Sequence, residues 1–183
     1  MIGALPTTLT VGFEDRRIRS DFRTALLILE AYGDPDLTDY DKCVVCVECL
    51  FEDTIPPALY DEALEQACWF IDGGNVAHSR VSVRVIDWTQ DEAVIFPAIN
   101  KVAGKEVRAE NYIHWWTFLG WFQEIGECAL STIVGIRYKL ARGKPLDKWE
   151  RDYLRDNGDR IKLKQKYSAE EQAEYDRLQS IFR

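Results

Sequence analysis

Between Tyr112 and Phe122 the chain carries six aromatic residues in eleven: Tyr112, Trp115, Trp116, Phe118, Trp121 and Phe122. Phe118, Trp121, Phe122 and Ile125 fall at i, i+3, i+4 and i+7, the spacing of one helix face, and predict a helix over about 109–125. Adjacent residues of a helix point about 100° apart, so Trp115 and Trp116 cannot share that face. A helix that is aromatic nearly all round must be covered on most sides. Either it is the central helix of the body, or part of it meets a partner, where Trp and Tyr are enriched.

The rest of the chain reads as helices joined by short turns. Residues 7–19 predict a β-hairpin, with Gly12 and Glu14-Asp15 as its turn. A helix follows from Asp21 to Tyr32, with Phe22, Ala25, Leu26 and Leu29 on one face. Thr38 is a suitable N-cap for a helix reaching about Phe51. Pro56 and Pro57 open the next, which runs to Ile71 with Leu64, Ala67, Cys68 and Ile71 on its apolar face. Residues 81–86, VSVRVI, alternate and predict a short strand. Thr89-Gln90-Asp91-Glu92 has the form of a capping box, and Pro97 is expected to kink or shorten the helix after it. Residues 128–140 are helical in pattern. Asp147 caps a short charged helix, and Ser168-Ala169-Glu170-Glu171 opens a last one to Phe182. The fold class expected is mainly α: a helical body with a small N-terminal hairpin over 1–141 and a charged helical tail over 142–183.

Charge divides the chain in the same place. Residues 1–141 hold 12 Lys+Arg against 22 Asp+Glu, while residues 142–183 hold 11 against 9. The net charge of −8 argues against a general nucleic-acid binder, which clusters cations to neutralise phosphates. Lys162, Lys164 and Lys166 alternate beside Tyr167, which could stack on a base, but nine acidic residues in the same tail dilute their field. There is no apolar run of about 20 residues and no basic-then-apolar leader, so a cytoplasmic protein off the membrane is expected.

No motif of catalysis is present. The sequence contains no G-x-S-x-G, H-E-x-x-H, Walker A or G-x-G-x-x-G pattern, and only two histidines, His78 and His114. Neither an enzyme nor a cofactor is expected. Cys43, Cys46 and Cys49 form C-x-x-C-x-x-C, which echoes a cluster-binding run, with Cys68 or Cys128 as a fourth ligand. Steps of three along a helix spread the thiols over an arc of about 120°, and Val44, Val45 and Val47 surround them, so core packing is the favoured alternative. Five cysteines with no secretory signal point to reduced thiols.

Several segments together resemble one family. Leu5-Pro6 leads into Ser20-Asp21-Phe22-Arg23-Thr24, similar to a D-F-R start of a first helix. Trp69-Phe70 with Gly73 is similar to a W-F-x-x-G ending, and Ile86-Asp87-Trp88 with Asp91 to an Asp-aromatic-x-x-Asp element. Tyr112-Ile113-His114-Trp115-Trp116-Thr117-Phe118 resembles an L-H-W-W-x-F signature, and Gly135-Ile136-Arg137-Tyr138 a G-Y-R element. These are features of the phage gene-product-fifteen family of tail-module proteins, and the resemblance covers residues 5–160. Pro97 and the cysteine triplet depart from the family pattern.

The resemblance implies a tail assembly chaperone. Genes of that family sit just before the tape-measure gene, and such a protein keeps the long tape-measure helix soluble until the tube forms, then is absent from the virion. The implied partner is the tape-measure protein, with a companion tail chaperone or the tail-tube protein as further candidates, in the host cytoplasm. Trp115, Phe118 and Trp121 are the candidate contacts. A structural tail or head–tail connector subunit and a Cys-ligated metal or iron–sulfur protein are the alternatives.

Overall fold

The computed structural model describes residues 3–75 and 83–181. Among them, helix dominates and the one sheet is a two-stranded hairpin. The chain divides into two compact units, residues 3–75 with 165–181, and residues 83–164. Residues 142–164 thus belong with the second unit, and the remainder of the charged tail with the first.

The first unit opens with β1 (Thr8–Val11) and β2 (Glu14–Arg17), antiparallel with Val11 opposite Glu14. The turn is therefore Gly12-Phe13, not Glu14-Asp15. Both turn residues have positive φ, 62° and 64°, the two-residue turn whose twist matches the strands. Glycine suits the positive φ at position 12, where a Cβ would stand 2.6 Å from Leu59 Cδ1 and make that side chain shift. Phe13 is unusual: a bulky side chain in left-handed backbone, at a cost of order 1–2 kcal/mol, and fully exposed at the tip.

Three helices follow: α1 (Phe22–Tyr32), α2 (Asp39–Leu50) and α3 (Tyr60–Ile71). Asp21 caps α1 by accepting from the Arg23 amide. Thr38 caps α2 in a reciprocal box: its hydroxyl accepts from the Asp41 amide, and the Asp41 carboxylate accepts from the Thr38 amide at 3.0 Å. At the other end of α2 the Arg19 guanidinium donates to the carbonyls of Glu48 and Cys49, both at 3.1 Å, and to that of Phe51. A cation there meets the negative end of the helix dipole and satisfies its last carbonyls. The Arg19 amide also bonds Leu50 O at 2.7 Å, which ties the hairpin's exit to α2. The core gathers Leu9, Val11, Phe22, Ile28, Val47, Leu50, Phe51 and Phe70.

On α3 the buried face is Ala63, Ala67 and Phe70, turned from the expected one. Leu64 and Ile71 are half-buried and Cys68 is exposed. The tail returns to this unit through the Ala169 amide, which donates to Asp36 Oδ1 at 2.7 Å. Ser168 and Glu171 form the expected capping box for α9 (Ala169–Ile181). Phe182, the expected last residue of that helix, lies outside the described residues.

The second unit holds α4 (Glu92–Ala103), α5 (Trp115–Gln123), α6 (Ala129–Ala141), α7 (Lys148–Asp156) and the single turn α8 (Gly158–Ile161). Residues 83–87 form no strand, and 81 and 82 lie outside the described residues. Thr89 does not cap α4. That helix starts after Asp91, whose carboxylate is engaged elsewhere. It runs through Pro97 to the left-handed Gly104, so the proline removes one amide without ending the helix. Asp147 and Glu150 form the box that opens α7, and Lys139 Nζ pairs with the buried Glu150 at 2.7 Å.

The α2 cap gives a direct stability test. Thr38→Ala removes one amide's acceptor and should cost about 1 kcal/mol. For a chain of this size that is a fall of about 2–4 °C in Tm by calorimetry.

Candidate functional site

The aromatic segment begins with a cap, not with a helix. Residues 107–109 make one 3-10 turn, and α5 starts only at Trp115. His114 is the reason. Its ring Nδ1 accepts from the Trp116 amide at 3.0 Å, and the buried ring stands edge-on to the Trp116 indole. The side chain thus takes the part that Ser or Asp takes at an ordinary N-cap. The other histidine, His78, lies outside the described residues.

Two of the three candidate contacts are interior. Trp115 is 1% exposed and Phe118 is fully buried. Their rings stack with centroids 5.8 Å apart, and Phe118 also meets Phe96 at 6.2 Å and Trp88 at 6.4 Å. These residues form the centre of the second unit's core, which α4 supplies with Ile95 and Ile99 and α6 with Ile133 and Ile136. A client could reach them only by opening the unit.

Trp121 is different. It is half-buried, and Lys105 Nζ lies 5.9 Å from its ring centroid. Trp88, Trp116 and Phe122 are half-buried too, Tyr112 is exposed, and Trp88 packs on Phe122 at 5.1 Å. Within the helix Trp115 and Phe118 are buried, while Trp116, Trp121 and Phe122 each keep part of their surface exposed. Trp88 enters from the segment before α4. Only its presence in the Asp-aromatic-x-x-Asp element marked it in the sequence.

That segment is fixed by a buried ion pair. Arg137, on α6, donates to Asp91 Oδ2 at 2.5 Å and to Oδ1 at 2.9 Å, and the two side chains are 4% and 2% exposed. The same guanidinium donates to the carbonyls of Val85 at 3.0 Å, Arg160 at 3.1 Å and Ile161 at 2.5 Å. All five of its N–H groups are thereby used. Asp91 Oδ2 also accepts from the Asp87 amide at 3.0 Å, and Asp87 accepts from the Gln90 amide and pairs with Arg84. The Asp-aromatic-x-x-Asp and G-Y-R elements are thus two halves of one network, with Trp88 held between its two aspartates.

The alternating lysines do not form a helix. Gln90 donates to Lys162 O at 2.8 Å and accepts from the Lys164 amide at 2.9 Å, which holds 162–164 extended. Lys162 and Lys164 are exposed, in keeping with a solvated segment.

The cysteines do not converge either. Among the described residues, no group of three or more His, Cys, Asp and Glu side chains is placed to hold a metal ion. The triplet lies on α2, its thiols spread over an arc of that helix. Cys46 is buried, Cys43 and Cys49 are half-buried, and all five cysteines are free. Cys46 faces Cys68 of α3 across a cavity of about 260 Å³ lined by Leu29, Tyr32, Cys46, Cys68, Ile71 and Asp72. The Tyr32 side chain lines the same cavity beside both thiols. Burial pushes the Cys46 thiol up to about 12 and raises Cys68 as well, so both stay protonated at neutral pH. Part of the stripe expected as core, Cys68 and Ile71 with Leu29, is thus the wall of this cavity.

Around this frame, the fold defines a mainly helical protein. The chain matches the model of the family described as bacteriophage Gp15 protein over residues 2–168, and it belongs to that family. No curated protein and no solved structure matches it. Among the described residues, no helix is long and apolar enough to cross a membrane.

Two outcomes test the site's frame. Arg137→Lys keeps the charge but has three donors for five bonds, so it loses the two-pronged contact and at least one carbonyl bond. We expect a loss of about 3 kcal/mol, a fall of roughly 6–12 °C in Tm. Separately, hydrogen bonds from Arg108 hold the Glu106 carboxyl down at about 2. The ordered Glu106–Asn100–Val107 staple should then persist as pH falls past the ordinary carboxylate range and loosen only near 2. NMR titration of the Glu106 carboxyl carbon would read this, and a midpoint near 4.3 would contradict it.

Proposed function

We propose that this phage protein is a tail assembly chaperone whose second unit holds the tape-measure protein soluble during tail morphogenesis. The observation that carries the reading is the half-buried aromatic set of α5 and its neighbour, Trp88, Trp116, Trp121 and Phe122. A soluble folded chain keeps few such rings at its surface unless they meet something. An amphipathic helix laid on a face of this kind buries its apolar stripe against the rings. The tape-measure protein is a client of that chemistry, and the family membership supplies the phage context. The acidic body would keep the complex dispersed by charge repulsion. No catalytic step belongs to this reading. A companion tail chaperone or the tail-tube protein would be a further partner, and the complex would act in the host cytoplasm before the virion is complete.

Co-expression with the tape-measure protein tests this. The client should move from the insoluble to the soluble fraction and elute with this chain. Trp121→Ala and Trp88→Ala should keep the helical circular dichroism and weaken the complex by about tenfold or more each, as for interface anchors. Trp115→Ala should instead lower Tm by several degrees, because it opens the core. A client equally insoluble with and without this chain would overturn the reading. Retention of the chain in purified virions, read by mass spectrometry, would favour a structural tail or connector subunit.

A further inference from the structure

The first unit carries an exposed ring and a small cavity at opposite ends of one helix. The ring is Phe13, at the tip of the hairpin, fully exposed and in left-handed backbone that glycine would occupy without strain. Both features disfavour phenylalanine there unless the ring meets something outside the chain. Its turn sits over the start of α3: the Gly12 amide donates to Glu62 at 3.1 Å, and Gly12 abuts Leu59. The hole is the cavity whose α3 wall is Cys68 and Ile71, at the far end of the same helix. Nine residues separate Glu62 from Ile71, about 14 Å at the helical rise of 1.5 Å per residue, so the ring stands away from its own hole.

We propose that this protein self-associates head to tail, the Phe13 ring of one copy entering the Tyr32–Cys46–Cys68 cavity of the next. The sizes agree: a cavity of about 150 Å³ takes up benzene, and this one offers about 260 Å³ for a benzyl group. The lining agrees as well. Leu29, Ile71, the Tyr32 ring and two sulfurs form the apolar part of the walls, with Asp72 beside them, and sulfur packs favourably on aromatic edges. At the rim Lys166 Nζ stands 3.6 Å from the Cβ position of Gly33, the residue after Tyr32, a cation on the side where Glu14 and Asp15 would follow Phe13, while Asp72 lies in the lining itself. Ring and hole are different surfaces of one copy, so the contact is not self-complementary. Each bound copy presents a further ring or hole, and growth continues until a ring closes or an open chain forms. Neither the second unit nor a client takes part, so this proposal stands or falls apart from the chaperone reading.

Sedimentation of the full chain tests it. Between about 1 µM and about 1 mM, the range a single aromatic anchor commands, the mass should rise with concentration above the 21.2 kDa of one chain. Phe13→Gly removes the ring and relaxes the turn, so it should stay monomeric while its Tm does not fall. Cys68→Trp fills the hole from its exposed lip and should also stay monomeric, with native circular dichroism. The two variants mixed in equal amounts retain one ring and one hole between them. They should form a heterodimer, twice 21.2 kDa, and nothing larger. A wild-type chain that stays monomeric throughout would overturn the proposal. So would either variant associating like the wild type, or a mixture that stays monomeric.

Discussion

Arg137 directs all five of its guanidinium hydrogens at acceptors inside the second unit, and the geometry of that unit follows from them. Two go to Asp91, one to the carbonyl before the Trp88 segment, and two to the carbonyls that close α8. A buried ion pair is not stabilising merely by being buried, because each charge must first leave water. Here the return comes from number and fit. The carbonyls of Val85, Arg160 and Ile161 lie where no regular helix ladder satisfies them, and an unmet buried carbonyl is costly. One side chain meets all three while neutralising the carboxylate that starts α4. The irregular stretches at 83–91 and 160–164 keep their shape through this contact and through Gln90.

The helices were legible because their signals are local. Thr38 and Asp147 announced their caps and Ser168 its capping box, and all three are formed. The errors arose where a residue's partner is distant in sequence. Thr89 looked like a cap, but Asp91 is taken by Arg137, 46 residues away. VSVRVI alternates like a strand, yet no neighbouring strand exists among the described residues to pair with 83–86. The face of α3 was displaced because Phe70, not Ile71, reaches the core. Periodicity alone cannot choose between two apolar residues side by side.

The aromatic segment was the most informative feature of the sequence, and its reading divides. Its density foretold a helix covered on most sides, and Trp115 and Phe118 meet that expectation at the centre of the unit. It could not foretell which rings stay near solvent. His114 sets only where α5 begins, at Trp115. Trp116, Trp121 and Phe122 stay half-buried, and Trp88 packs on Phe122 from a segment that the Asp91–Arg137 pair anchors. The surface proposed for a client thus rests on the buried pair.

A double-mutant cycle on Asp91 and Arg137, followed by denaturant unfolding, tests this dependence most directly. Removing either partner alone leaves an uncompensated buried charge, and each of Asp91→Ala and Arg137→Ala should cost about 3–5 kcal/mol. The double variant should cost little more than either single one, and the Trp88 environment, read by fluorescence, should loosen alike in all three. Costs that simply add, with Trp88 unmoved, would contradict the claim that this pair holds the second unit together.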